Sequence, residues 1–172
     1  LRKRLIDIGP VSKEMCRKYG ATGPVIRGSG IPYDVRRVEP YSVYPEFDFI
    51  IPTFEEGDSM ARYLVHMEEM AQSLRIIEQG LDKLPAGPIM AEKVPRVLKL
   101  PVGDYCYAVE SARGRFAVRI VSDGKEIPYR VKLRTPSLSN LSLFEEASTG
   151  MLLPDALALM GSLDLVIPDI DR

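Results

Sequence analysis

Residues 58–84 read DSMARYLVHMEEMAQSLRIIEQGLDKL, and they decide the fold class because no other stretch of the chain sustains a helical period for so long. Asp58 supplies an N-cap, since its carboxylate can accept from the free amides of the first turn. Met60, Leu64, Met67, Ala71, Leu74 and Leu81 then follow at intervals of 4, 3, 4, 3 and 7, the apolar stripe of a helix packed in a bundle. Pro85 ends it. A helix of 27 residues reaches about 40 Å at 1.5 Å per residue, and its polar face carries Arg62, Glu69, Arg75 and Asp82. A methionine-rich stripe also suits a cofactor pocket or an adaptable groove; bundle core is the reading adopted. His66, on the same helix, reads as a packed or surface side chain.

Downstream of this helix, past a proline-punctuated connector at 85–101, the period changes from helical to two. Strands are expected at 105–110, 115–121 and 129–134, joined by turns at Ala112-Arg113-Gly114 and Ser122-Asp123-Gly124. Phe116, Val118 and Ile120 share one face of the second strand, and Arg115 and Arg119 the other. In the third, Val131 and Leu133 oppose Arg130, Lys132 and Arg134. The outer face of this sheet, spanning 104–135, is therefore expected to be basic, a solvated face or subunit contact. Short helices follow around 141–147 and from Pro154, which fits a first helical turn. The ending, Ser162 to Arg172, interleaves Asp164, Asp169 and Asp171 with Leu165, Val166 and Ile167. A frayed tail gains nothing from large apolar residues, so burial is expected. Three carboxylates suit a hard cation, but the spacing matches no calcium loop, and pairing of the tail with Arg172 or Arg27 is the plainer reading.

Upstream, Ser12 caps a short helix that Gly20 stops. From 23 to 52 the chain is rich in Gly and Pro and reads as mostly irregular, packed on something else. Gly28-Ser29-Gly30 resembles a phosphate loop only superficially, because no strand precedes it in a GxGxxG arrangement. The first residue is Leu1, followed by Arg2, Lys3 and Arg4, and the segment is expected to continue a longer chain.

Composition narrows the function. The chain has 172 residues, 45% hydrophobic and 27% charged, with a net charge of −1. That balance gives no global field to draw nucleic acid or an anionic membrane. Cys16 and Cys106 form no CxxC, and His66 is the single histidine, so no thiolate-held metal or cluster is expected on this chain. No apolar run reaches the roughly 18 to 20 residues that span a bilayer.

Four blocks carry a resemblance: Gly23-Pro24-Val25-Ile26-Arg27-Gly28-Ser29-Gly30; Arg62-Tyr63-Leu64 with Met67-Glu68-Glu69-Met70 and Gln72-Ser73; Val121-Ser122-Asp123-Gly124 with Pro128-Tyr129-Arg130; and the ending Asp169-Ile170-Asp171-Arg172. In this order they resemble the C-terminal part of the D subunit of the NADH–quinone oxidoreductases, the respiratory complex I family and its relatives. The resemblance implies an α+β fold like that of the nickel–iron hydrogenase large subunit, mainly helical bundle segments, with residues 1–172 forming one C-terminal portion that contains a long bundle helix (57–84), a small three-stranded antiparallel sheet (104–135) and a helix and quinone-site tail (151–172).

The hydrogenase motif Asp-Pro-Cys-x-x-Cys-x-x-His, laid on this tail, pairs its Asp with Asp164, its cysteines with Val166 and Asp169, and its histidine with Arg172. An isopropyl group and a carboxylate do not replace two soft thiolates. The resemblance implies instead that the old metal pocket became a chamber where quinone, the substrate, meets the terminal iron–sulfur cluster of the neighbouring small subunit. The resemblance further implies that NAD is bound by other subunits and that peripheral-arm and membrane-arm subunits are further partners, on the cytoplasmic side of the cell membrane. Asp164, Val166 and Arg172 are the candidate quinone-binding residues, the charged pair having tail-anchoring as its plainer role. The family's proton-donating histidine and tyrosine belong to its N-terminal half, which His66 does not replace. The other readings are a nickel metalloenzyme, which the tail chemistry disfavours, and a non-catalytic subunit-interaction module derived from a hydrogenase large subunit.

Overall fold

A computed structural model describes residues 2–171. In chain order the elements are α1 (Arg2–Leu5), α2 (Lys13–Tyr19), α3 (Pro24–Gly28), α4 (Val35–Val38), a 3-10 turn (Tyr44–Glu46), α5 (Ser59–Asp82), β1 (Gly103–Ser111), β2 (Gly114–Ser122), β3 (Arg130–Arg134), α6 (Pro136–Leu141), α7 (Phe144–Ser148), α8 (Leu153–Ser162) and α9 (Ile167–Ile170). The fold is α+β, helical segments around one three-stranded antiparallel sheet of order β1-β2-β3.

Local chemistry sets the element ends. Ser12 caps α2 by accepting from the Met15 amide, and Gly20 closes it in the left-handed region at φ 62°. Asp58 caps α5 by accepting from the Ala61 amide at 2.7 Å. The segment between α3 and α5 contains only the single-turn α4 and a 3-10 turn, and some of its backbone groups find partners on α5. The Gln72 side-chain oxygen accepts from the Ile50 amide, and the Gln79 carboxamide both accepts from the Asp48 amide and donates to the Asp48 carbonyl.

This explains a departure from the pattern expected of the helix. The inward face of α5 is Ala61, Arg62, Val65 and Gln72, whereas Met67, Leu74 and Leu81 of the apolar stripe are 45%, 63% and 68% exposed. An irregular strap with unpaired amides needs polar side chains opposite it. The helix therefore turns its glutamines and Arg62 inward and leaves most of its apolar stripe uncovered. The main core lies elsewhere, around Val11, Cys16, Val25, Leu143, Leu159 and Leu163.

The sheet is also oriented differently from the expectation. Ala108 pairs with Ala117, and these small residues let Val35 of α4 pack fully buried against them. That face is the one that carries Arg119, Arg130 and Lys132 farther out, by the alternation of side chains along each strand. The opposite face leaves Tyr105, Tyr107 and Val131 exposed. The basic face is thus covered at one end and exposed, as expected, at Arg119, Arg130 and Lys132, and the apolar face is partly open as well.

Two close approaches fix the hairpin and the long helix. Gly23 sits at φ +68°, and a Cβ there would lie 2.2 Å from the Arg113 carbonyl oxygen, so the β1–β2 tip rests directly on the entry to α3. Gly28 lets α3 cross α5, since a Cβ would lie 3.1 Å from Arg62 Cγ. Ser29 uses its hydroxyl internally, donating to the Val11 carbonyl at 2.8 Å. The Gly-Ser-Gly segment is a packing joint.

Candidate functional site

Residues 163–171 are docked. Leu163 is buried in the core, and the segment before it is held by Arg62. That guanidinium, itself fully buried, donates to the Ser162 hydroxyl at 2.9 Å, the Gly57 carbonyl at 2.7 Å, the Gly9 carbonyl at 2.9 Å and the Ser59 hydroxyl at 3.0 Å. All four acceptors are neutral, so burial is opposed only by the more distant Asp58 and Cys16 and lowers its pKa to about 10. Farther along, the Val166 amide donates to the Ser137 hydroxyl, which donates to the Asp169 carboxylate. The Thr135 hydroxyl donates to the Asp169 carbonyl at 2.6 Å. α9 is thereby stitched to the start of α6.

Asp164 adopts φ +49°, a left-handed conformation that Asp tolerates better than most residues. Arg113 holds it there from the β1–β2 tip. Arg113 Nε donates to the Asp164 carbonyl at 2.9 Å, and Nη2 to its carboxylate at 3.1 Å. Of the expected anchors, Arg27 is committed to other carboxylates, and Arg172 lies outside the described residues.

Asp164 borders an open groove of about 490 Å³ between α5, α1 and the α8 exit, walled chiefly by Tyr63, His66, Met67, Met70 and Leu5. This lies within the range of small-molecule sites, ~300–1,000 Å³. Val166 is not among its lining residues; its amide is tied to α6. A second groove of about 380 Å³ continues on the other side of His66, past Glu69, Ser73 and Ala112. His66 therefore forms the ridge between two grooves. Burial lowers its pKa, with Asp164 opposing and Arg27 and Arg113 reinforcing the shift. Sequence reasoning gives His66 no role in the site. The spacing of Tyr63, His66, Met67, Met70 and Leu74, one helical face, is the signal that could have grouped it there. Nothing local marks Arg113.

Behind the second groove lies a buried ionic cluster. Arg27, 1% exposed, approaches Glu69 Oε1 at 2.5 Å, Glu110 Oε1 at 2.8 Å and Asp34 Oδ2 at 3.8 Å. The Glu69 contact is a charge contact without directed hydrogen-bond geometry. Glu110 also accepts from the Val35 amide at 3.0 Å. Arg36 grips Asp34 through Nε and Nη2 at 3.0 and 2.6 Å. Burial works against ionisation of Asp34, yet Arg36 and Arg27 hold its pKa below the usual value. For Glu69 and Glu110 burial prevails over Arg27, and both pKa values are raised.

The donor set does not fit nickel. Val166 offers no ligand atom, Cys16 is buried in the core and Cys106 is exposed on the sheet. Among the described residues no group of three or more His, Cys, Asp or Glu side chains is placed to hold a metal, and no helix is long and apolar enough to cross a membrane.

The family model for the respiratory-chain NADH dehydrogenase, 49 Kd subunit, matches residues 1–99 and 92–172. The chain is 74% identical over 172 residues to an NADH-quinone oxidoreductase D subunit of Opitutus terrae, covering all of this chain and 43% of that protein. It is 67% identical to the NADH-quinone oxidoreductase D subunit of Desulfotalea psychrophila, covering all of this chain and 46% of that one. With the corresponding D subunit of Syntrophobacter fumaroxidans it shares 52% identity over 98% of this chain and 45% of the relative. The chain thus spans less than half the length of these curated relatives.

Proposed function

The chain belongs to the family of the 49 Kd subunit of respiratory-chain NADH dehydrogenase, and from that membership we propose that it is part of a proton-pumping NADH–quinone, or related donor–quinone, oxidoreductase. In this reading it contributes wall and electrostatics to the chamber where quinone is reduced, beside the terminal iron–sulfur cluster of a small partner subunit. NAD and the redox centres reside on other subunits, and the isolated chain is inactive. The assembly sits peripherally on the cytoplasmic side of the cell membrane, with membrane-arm subunits as further partners.

The observation that carries the reading is the placement of Asp164. A quinone presents a flat apolar ring with two carbonyls, so its site needs apolar walls and a few polar groups held in fixed positions. Asp164, pinned by Arg113 in a left-handed turn, borders a groove otherwise walled by Tyr63, methionines and Leu5, with His66 beside it. Val166 and Arg172 extend the same tail and complete the proposed set.

In the assembled complex, Asp164→Asn is expected to lower quinone reduction by about tenfold or more while electron transfer to an artificial hydrophilic acceptor is unchanged. Arg172→Met gives the same split. Unchanged quinone reduction in both variants overturns the assignment. That outcome favours the second reading, a non-catalytic interaction module, which the exposed apolar stripe of α5 supports; loss of both activities together marks failed assembly instead.

A further inference from the structure

Five charged side chains from four parts of the fold meet behind α5: Arg27 of α3, Asp34 ahead of α4, Arg36 of α4, Glu69 of α5 and Glu110 of β1. Fully ionised, three carboxylates against two guanidiniums leave one uncompensated negative charge in a region that water scarcely reaches. The side chains of Arg27, Asp34 and Glu110 are 1%, 1% and 3% exposed. An unbalanced buried charge costs several kcal/mol, and the simplest relief is one bound proton. We propose that this cluster is a proton-binding site that holds one exchangeable proton, shared by Glu69 and Glu110, and that exchange runs through Glu69 into the groove beside His66.

The geometry chooses among the three carboxylates. Asp34 is gripped by two nitrogens of Arg36 and also accepts from the Arg36 amide, so it keeps its charge. Glu69 and Glu110 must share the single guanidinium of Arg27, which reaches one oxygen of each. The share is unequal, because Arg27 Nε and Glu69 Oε1 are both buried without a directed hydrogen bond. Among the described residues no other cation forms an ion pair with either glutamate. Arg115, opposite Glu110 in the register, is turned to Glu39, and Arg113 is taken by Asp164. The Tyr41 hydroxyl meets the backbone amide of Glu110, not its carboxylate.

The route is equally specific. Glu110 is enclosed, whereas Glu69 is 16% exposed and lines the groove that also contains His66 and Ser73. A proton on the buried pair thus has a polar exit, flanked by a titratable imidazole. The site is independent of what fills the grooves.

The test uses the full-length polypeptide in its native assembly. An amide is isosteric with a protonated carboxyl and carries no charge, so Glu69→Gln mimics the protonated cluster. Glu69→Gln is expected to assemble and to lose less thermal stability than wild type as pH rises through the folded carboxylate's titration, where the proton is otherwise lost. Infrared difference spectra, variant minus wild type, recorded on the acid side of that loss, are expected to show loss of a protonated-carboxyl C=O band. Asp34→Asn is expected to leave that band in place. Should Glu69→Gln destabilise or prevent assembly, or should no such band be lost in either Glu69→Gln or Glu110→Gln, both glutamates are obligatory anions and the site does not exist.

Discussion

At the scale of single residues, the structure rests on arginines used in opposite ways. Arg27 is surrounded by carboxylates, whereas Arg62 is equally buried and donates only to neutral oxygens. Arg62 acts as a clamp, because its rigid fork satisfies carbonyls of two loops and the end of α8 at once. Arg62→Met leaves the Gly9 and Gly57 carbonyls without these donors, and a buried unsatisfied group costs about 1–3 kcal/mol. A loss of about 3 kcal/mol is expected in denaturant unfolding of the intact subunit, with Arg62→Lys recovering only part. His66 makes a separate pH prediction. Its folded pKa lies below the ordinary value of 6.5, so between those two values the unfolded chain binds more protons and stability falls as pH falls. Glu69 and Glu110 have the opposite sign: their folded pKa values are raised, and they withdraw stability as pH rises from the unfolded carboxylate value through the folded one. His66→Gln is expected to flatten the decline in unfolding midpoint just below pH 6.5 and to leave the glutamate limb unchanged; a decline that persists assigns the acid sensitivity to another group.

At the scale of elements, the β1–β2 tip matters most, because it joins the sheet to both α3 and the tail. The Arg115 amide donates to the Thr22 hydroxyl at 2.9 Å, Gly23 admits the Arg113 carbonyl, and the Arg113 side chain holds Asp164. Gly23→Ala is expected to push the tip away and free Asp164, read as faster amide exchange at 112–114 and 163–166 together. Exchange confined to Gly23 itself would show that the three segments are not coupled. The same elements show what sequence reveals and what it hides. The caps Ser12 and Asp58, the stops at Gly20 and Pro85 and the strand period at 105–121 are local signals, and each lies where the sequence places it. The burial faces are not local. The stripe of Met67, Leu74 and Leu81 reads as core, yet α5 turns Gln72 and Gln79 inward because a distant strap has amides to satisfy. The partners Arg27–Glu110 and Arg113–Asp164 are separated by 83 and 51 positions, and no spacing rule links them. The sequence singles out Asp164 as a candidate through its place in the tail, whereas nothing local points to Arg113, which holds it.

At the scale of the whole molecule, apolar surface is distributed unlike that of a self-sufficient domain. Met70, Leu74 and Ile77 of α5 are 54%, 63% and 55% exposed, Tyr107 of the sheet is 60% exposed, and Leu153 and Leu157 of α8 lie open as well. Contiguous apolar patches beyond a few hundred Å² are rare on monomeric proteins, and this chain corresponds to less than half of its relatives' length. We propose that a segment corresponding to the rest of the relatives' length covers the α5 stripe. Leu74→Lys with Ile77→Lys separates this from a merely tolerated exposed face. In the isolated chain the pair is expected to suppress self-association and apolar-dye binding, since charges replace an open patch. In the full-length polypeptide the same pair is expected to destabilise by several kcal/mol, because two unpaired ammonium groups are then forced into a packed interface. Sedimentation and thermal melts read both arms. If the full-length protein tolerates the lysines as well as the isolated chain does, the stripe faces solvent there too, and its apolar character serves a contact with another subunit.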